Sequence, residues 1–240
     1  MPGMGAAELD EHEIYPVHEE DNRPRRPSHE RQSRLLLTVL QPRLHNHWVF
    51  RDVCVYWERE RYTRYCSPDV LVARGNGKRF EHDVFLSWSD GPALLAIDIA
   101  YKSPLQRDEG PMISRYLQEV GIKEYLYFWP QREPRPWRVK LWRLVKGVPS
   151  EVAPNALGRW ESETLGIEFG VTEDGQLRAY ERSGELIPGI KEWREQTESS
   201  LHVQVEQRQR AEQERRRANE IEQEIARLRE QLRNVRGEDS

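Results

Sequence analysis

The sequence predicts an α/β fold: a β-sheet with helices packed against it, followed by a long charged helix. Three observations lead there. Short apolar runs rich in β-branched and aromatic residues recur between about Leu35 and Ile190. Two helix-period segments fall among those runs. From residue 204 to 236 there is no aromatic residue, proline or glycine, and the charges have mixed signs.

Residues 1–27 form the first predicted segment, an extended, disordered leader. Acids crowd Glu8 to Asp21, and Arg23-Pro-Arg-Arg-Pro27 is a proline-punctuated basic patch. Ser28 is placed to cap a helix, in which Leu36, Leu37, Leu40 and Leu44 fall at helical spacing and Pro42 introduces a kink. Val53–Trp57 and Asp69–Ala73 are predicted strands, with turn material at Gly75-Asn-Gly77. Pro92–Ala100 is almost continuously apolar, as suits a central strand covered on both faces. Pro111–Val120 is a predicted helix with Gly121 at its C-terminal cap.

Lys123–Trp129 and the alternating Trp137–Val145 continue the sheet. Leu165–Phe169 and Leu177–Tyr180 are smaller β units turned at Asp174-Gly175. The predicted domain therefore spans 28–190, and 191–240 is a charged helix with a coiled-coil end. In that helix Ile221, Ile225, Leu228, Leu232 and Val235 alternate at spacings of four and three, an a/d seam that a lone helix cannot bury. Ala218, Glu214 and Ala211 continue the register weakly, so self-association through this helix is expected.

Of the 240 residues, 32% are charged and the net charge is −4. That balance gives no bulk attraction to nucleic acid, so any such contact rests on a local basic patch such as Arg23–Arg26. Cys54 and Cys66 form no CxxC pair and lie in or beside strand-like runs, which fits buried free thiols in a reducing cytosol. No secretion signal and no membrane-spanning apolar run is visible, so a cytoplasmic protein is expected. His45 and His47, read on a helix, point to different faces and share no metal. Trp129, Trp137 and Trp142 are read as packing residues rather than base-stacking platforms.

The chemistry is concentrated in two of the apolar runs. Ser67-Pro-Asp-Val-Leu-Val-Ala73 carries Asp69, and Leu94-Leu-Ala-Ile-Asp-Ile-Ala-Tyr-Lys102 carries Asp98 and Lys102. A charge inside such a strand is costly unless it is paired, metal-bound or neutralised. With a strand period of two, Asp98, Ala100 and Lys102 share a face. Two acids and a lysine on neighbouring strands point to a metal site with a cation beside it.

This order of elements resembles the PD-(D/E)XK nuclease superfamily and, more closely, the Uma-two family of restriction-endonuclease-like proteins. Ser67-Pro-Asp69-Val-Leu-Val looks like that family's Pro-Asp strand, and Pro92–Asp98 with Lys102-Ser-Pro and Arg107-Asp108 like its acid strand. Gly121-Ile-Lys-Glu-Tyr-Leu-Tyr-Phe, Leu141-Trp-Arg-Leu, Ser162-Glu-Thr-Leu-Gly166-Ile and Leu177-Arg-Ala-Tyr resemble its later segments. Aspartate stands where glutamate is usual, and the lysine is four residues on rather than two.

The resemblance implies a restriction-endonuclease-like core with a central mixed sheet, and metal-dependent hydrolysis of DNA phosphodiesters. It implies Asp69 and Asp98 as metal ligands, Lys102 as supporting cation, and Glu30 as a further acid from the first helix, with His29 its weaker neighbour. Mg²⁺ is the expected ion, with Mn²⁺ the alternative, because carboxylate oxygens suit a hard cation that keeps waters. The expected partners are DNA and a second copy of the chain. The competing reading is a catalytically weak or inactive nuclease-fold protein that binds or assembles through its cleft or its tail.

Overall fold

Strand alternation sorts the core into two layers, one on each face of a six-stranded sheet. This computed structural model describes residues 10–17, 27–75, 80–100, 109–130 and 136–237. The sheet runs in the order β1 (His47–Arg51), β4 (Val70–Arg74), β6 (Ala93–Ile99), β7 (Glu124–Trp129), β8 (Arg138–Val145), β9 (Val148–Val152). It is mixed: β6 and β7 are parallel and the other pairs antiparallel. A parallel pair needs a crossover. The described part of this one is α3 (Glu109–Ser114), which continues as a π-helical turn, Arg115–Glu119.

Val70, Val72, Leu95, Ile97, Ile99, Leu126 and Phe128 face one layer, formed by α2 (Pro27–Arg43) and a three-stranded sheet of β10 (Trp160–Ser162), β11 (Ile167–Val171) and β12 (Leu177–Glu181). Leu71, Ala73, Ala96, Ala100, Tyr125, Tyr127 and Trp129 face the other, with Tyr116 and Leu117 of the π-helical turn. The near-continuous apolar runs of β4, β6 and β7 follow directly from this two-sided burial. A second small sheet, β3 (Tyr65–Cys66), β2 (Cys54–Tyr56) and β5 (Val84–Leu86), adds Val55, Cys66 and Phe85 to that second layer. Cys54 and Cys66 are buried and not joined in a disulfide.

Buried polar groups tie the layers together. The Gln32 amide of α2 donates to the Leu177 carbonyl at 2.9 Å and accepts the Leu177 N–H at 3.2 Å, completing the edge of β12. Glu124, 2% exposed, accepts the Ser162 hydroxyl and, at 3.0 Å, the Glu163 N–H, anchoring β10. The expected cap at Gly121 is present: it has φ +79°, and Ile122 N–H bonds back to Tyr116 O at 2.9 Å, one residue further than in a Schellman ending because the last turn is π-helical.

Several elements differ from the expectation. α2 is described from Pro27, so Ser28 lies within the helix rather than capping it. His47 opens β1 instead of extending a helix. β1, β3, β5, β9 and β10 lie outside the expected strands: they are two to five residues long, and β9 carries a proline, which suits an edge strand. The leader is not wholly extended. α1 (Glu11–Ile14) is a short helix, Tyr15 is buried against Tyr56, and Tyr56 Oη donates to the Pro16 carbonyl at 2.6 Å. The Arg23–Arg26 patch and Asn76–Gly77 lie outside the described residues.

The chain divides into two units, Met1–Gly189 and Ile190–Ser240. In the second, α4 (Ile190–Gly237) is one helix of 48 residues, about 70 Å long at 1.5 Å per residue. Ile221, Ile225 and Leu228 of the a/d seam are exposed on it. The side chains of Leu232 and Val235 are outside the described set. Among the described residues no helix is long and apolar enough to cross a membrane.

Candidate active site

Asp98 carries a carboxylate into the second layer, on the same face of β6 as Ala96 and Ala100. It is 8% exposed. Tyr125 of the neighbouring β7 donates its hydroxyl to Oδ2 at 3.0 Å, and Tyr116 donates to Oδ1 at 3.3 Å. The two rings are 4.6 Å apart. Burial first, then the charge of Asp98, pushes the Tyr116 hydroxyl well above the usual phenol range, so it stays protonated and remains a donor. Tyr116 reaches this position from the π-helical turn, a form of helix often found at functional sites.

Asp69 lies in the bend that feeds β4. Val70–Ile97 is the last pair of the β4–β6 ladder, and Asp69, next to it in the chain, reaches the backbone beside Asp98. Oδ2 of Asp69 accepts the Ile99 backbone N–H at 2.6 Å, and Oδ1 lies 2.9 Å from His29 Nε2. Asp69 is also among the charges that raise the Tyr116 hydroxyl. The two acids expected as partners therefore end adjacent strands, each oriented by its own hydrogen bonds.

The sheet register extends a row from Asp98, which pairs with Tyr127, and Tyr127 with Lys140 of β8. The Lys140 ammonium stands 5.5 Å from the centroid of Trp142, a ring of the second layer. Lys140 was not anticipated; counting cross-strand partners is the signal that finds it. Lys102 falls outside the described residues.

Glu30 does not join the acids. It is 48% exposed and pairs with Arg34 at 3.0 Å, one helical turn on. One residue along a helix is a rotation of about 100°, and it is His29, 6% exposed, that turns inward to Asp69. Trp129 and Trp142 are buried, as packing residues should be.

The Asp69–Asp98 pair offers oxygen donors, the set that suits a hard divalent cation. A carboxylate oxygen accepts more than one bond, so the hydrogen bonds that orient these acids leave them able to coordinate. Asp10, His12 and His82 make a second cluster with mixed donors, which sequence spacing did not reveal because 70 residues separate its halves.

A mixed sheet with α2 across one face and paired acids at the ends of adjacent strands defines a restriction-endonuclease-like fold. The Uma2 family model, described as "Putative restriction endonuclease", matches residues 7–174. The chain belongs to the Uma2 family, whose description suggests a nuclease. The match begins upstream of residue 28 and so takes in α1 and Tyr15. Comparison with curated proteins finds no match.

Proposed function

We propose that the protein is a metal-dependent endonuclease hydrolysing DNA phosphodiester bonds, with Mg²⁺ as its ion and Mn²⁺ able to replace it. This reading is carried by Asp69 and Asp98, two carboxylates on neighbouring strands otherwise filled with apolar side chains, with Asp69 hydrogen-bonded to the Ile99 N–H next to Asp98. Asp69 and Asp98 would hold the ion. When bound, such an ion polarises the phosphate and lowers the pKa of a coordinated water.

The remaining roles belong to the chain itself. Tyr116 and Tyr125 hold Asp98 with donated hydrogen bonds. His29 and the Ile99 N–H hold Asp69. Lys102 stabilises charge developing on the phosphate, and Lys140 adds a cation from the same cross-strand row. With a net charge of −4, the DNA backbone is met by local arginines, the Arg23–Arg26 patch foremost.

Supercoiled plasmid tests this directly. Wild-type protein should nick or linearise it with Mg²⁺ or Mn²⁺ and lose that activity in EDTA. Asp98→Ala should be inactive with either ion. Binding of DNA without cleavage under any ion would contradict the endonuclease reading.

Ile221, Ile225 and Leu228 expose an a/d seam on α4, which suits a nuclease-fold protein that acts as an assembly module through its tail.

A further inference from the structure

A second set of ligating side chains converges where the N-terminal segment meets the turns around β5. Asp10 accepts the His12 backbone N–H at 3.1 Å and so caps α1. His12 lies within α1, and His82 precedes β5. A carboxylate oxygen of Asp10 and one ring nitrogen from each histidine all lie within 4.8 Å of one another. His12 Nδ1 is 2.9 Å from Asp10 Oδ1, and His82 Nδ1 is 3.3 Å from Asp10 Oδ2.

The other nitrogen of His12 identifies the kind of site. Nε2 is 2.8 and 3.0 Å from the two oxygens of Asp90. Asp90 is itself fixed by the Leu86 N–H at 2.6 Å. Both ring nitrogens of His12 thus face carboxylates, and an ion bound at Nδ1 would take the place of the proton shared with Asp10 while Nε2–H stays on Asp90. Carboxylate, histidine, metal is the usual order around a ligating imidazole, the outer acid setting tautomer and ring orientation.

We propose that Asp10, His12 and His82 bind a zinc-class transition-metal ion, with Asp90 orienting His12. Two nitrogens and one oxygen suit Zn²⁺, and three protein ligands leave one position for water or a further ligand. The oxygen donors of Asp69 and Asp98 suit Mg²⁺ instead, so the two sites separate by chemistry. The imidazoles are stacked, with centroids 3.6 Å apart and planes 9° apart. Coordination in both ring planes at about 2.0–2.1 Å requires one ring to turn. His82, 33% exposed against 13% for His12, is the one with room. The bound ion would staple α1 and the buried Tyr15 to the body of the domain.

The test is calorimetric titration of the chelator-stripped full chain with Zn²⁺, in the presence of excess Mg²⁺ to occupy oxygen-only sites. Binding of about one equivalent is expected, and Co²⁺ in its place should give the visible absorption of a low-symmetry site. His82→Gln and Asp10→Asn, both at partly exposed positions, should each weaken Zn²⁺ binding by about tenfold or more. Asp90→Asn should weaken it by about 10–100-fold through the lost outer bond. Asp98→Asn should leave it unchanged. Three results would overturn the proposal: no saturable Zn²⁺ binding by the wild type, undiminished binding by His82→Gln, or loss in Asp98→Asn with retention in His82→Gln.

Discussion

Asp98 keeps a carboxylate inside a strand closed to charge because two phenols and an adjacent acid site make a polar pocket of that stretch. Hydrogen bonds to charged groups contribute about 1.5–3 kcal/mol each. Tyr125→Phe, which removes the donor at 3.0 Å, should lower stability by that amount in urea unfolding. Tyr116→Phe, with its longer 3.3 Å bond, should cost less. The two acids were legible in the sequence, because a charge within an apolar run demands a partner. The phenols were not: Tyr116 and Tyr125 stand 18 and 27 residues beyond Asp98, and only the crossover brings them back. That His29 and not Glu30 faces Asp69 is a matter of helical phase. Stepping back from Leu36 by three or four residues at a time gives Gln32, Ser33 and His29, all buried, and passes Glu30 by.

At the scale of elements, helix ends and edge strands divide what could be read from what could not. Gly121 was legible, since a glycine after an apolar helix commonly ends it in the left-handed region. Nothing crowds a Cβ at this position, so Gly121→Ala should cost the backbone strain alone, about 1–2 kcal/mol in chemical denaturation. β1 and β9 escaped notice because both lie at the sheet's edges and lack a full apolar stripe. The tie between α2 and β12 is a pairing no local pattern reveals. Arg43 forks onto Glu181, with Nη2 to Oε2 at 3.0 Å, and this hydrogen bond holds the Glu181 carboxyl below its ordinary 4.5. Its contribution is therefore complete above pH 4.5 and is lost as pH falls through the lowered native value. Both partners are partly exposed, so Glu181→Gln should cost about 0.2–1 kcal/mol at pH 7. The gap to wild type should narrow in urea titrations below pH 4.5.

For the whole molecule, the order of acid-bearing strands, helix and returning strand carried the fold, since the family match and the mixed sheet both follow it. The β3–β2–β5 sheet, whose parallel pair joins Cys54 to Val84, and the Asp10–His12–His82 cluster, whose halves lie 70 residues apart, were out of reach because non-local contacts make them. The exposed seam on α4 should drive self-association. Deleting residues 204–240 should reduce the subunit count in light scattering, and an unchanged count would remove the tail from assembly. Asp69 and Asp98 are proposed to act as one unit in divalent-dependent DNA cleavage. This is tested most directly by plasmid cleavage rates of Asp69→Asn, Asp98→Asn and the double variant in saturating Mg²⁺. Each single change should lower the rate by about a hundredfold or more, the several kcal/mol that a metal supplies to a transition state. The double variant should then be no slower than the singles, as for residues acting together. A wild-type rate in either single variant would contradict the account.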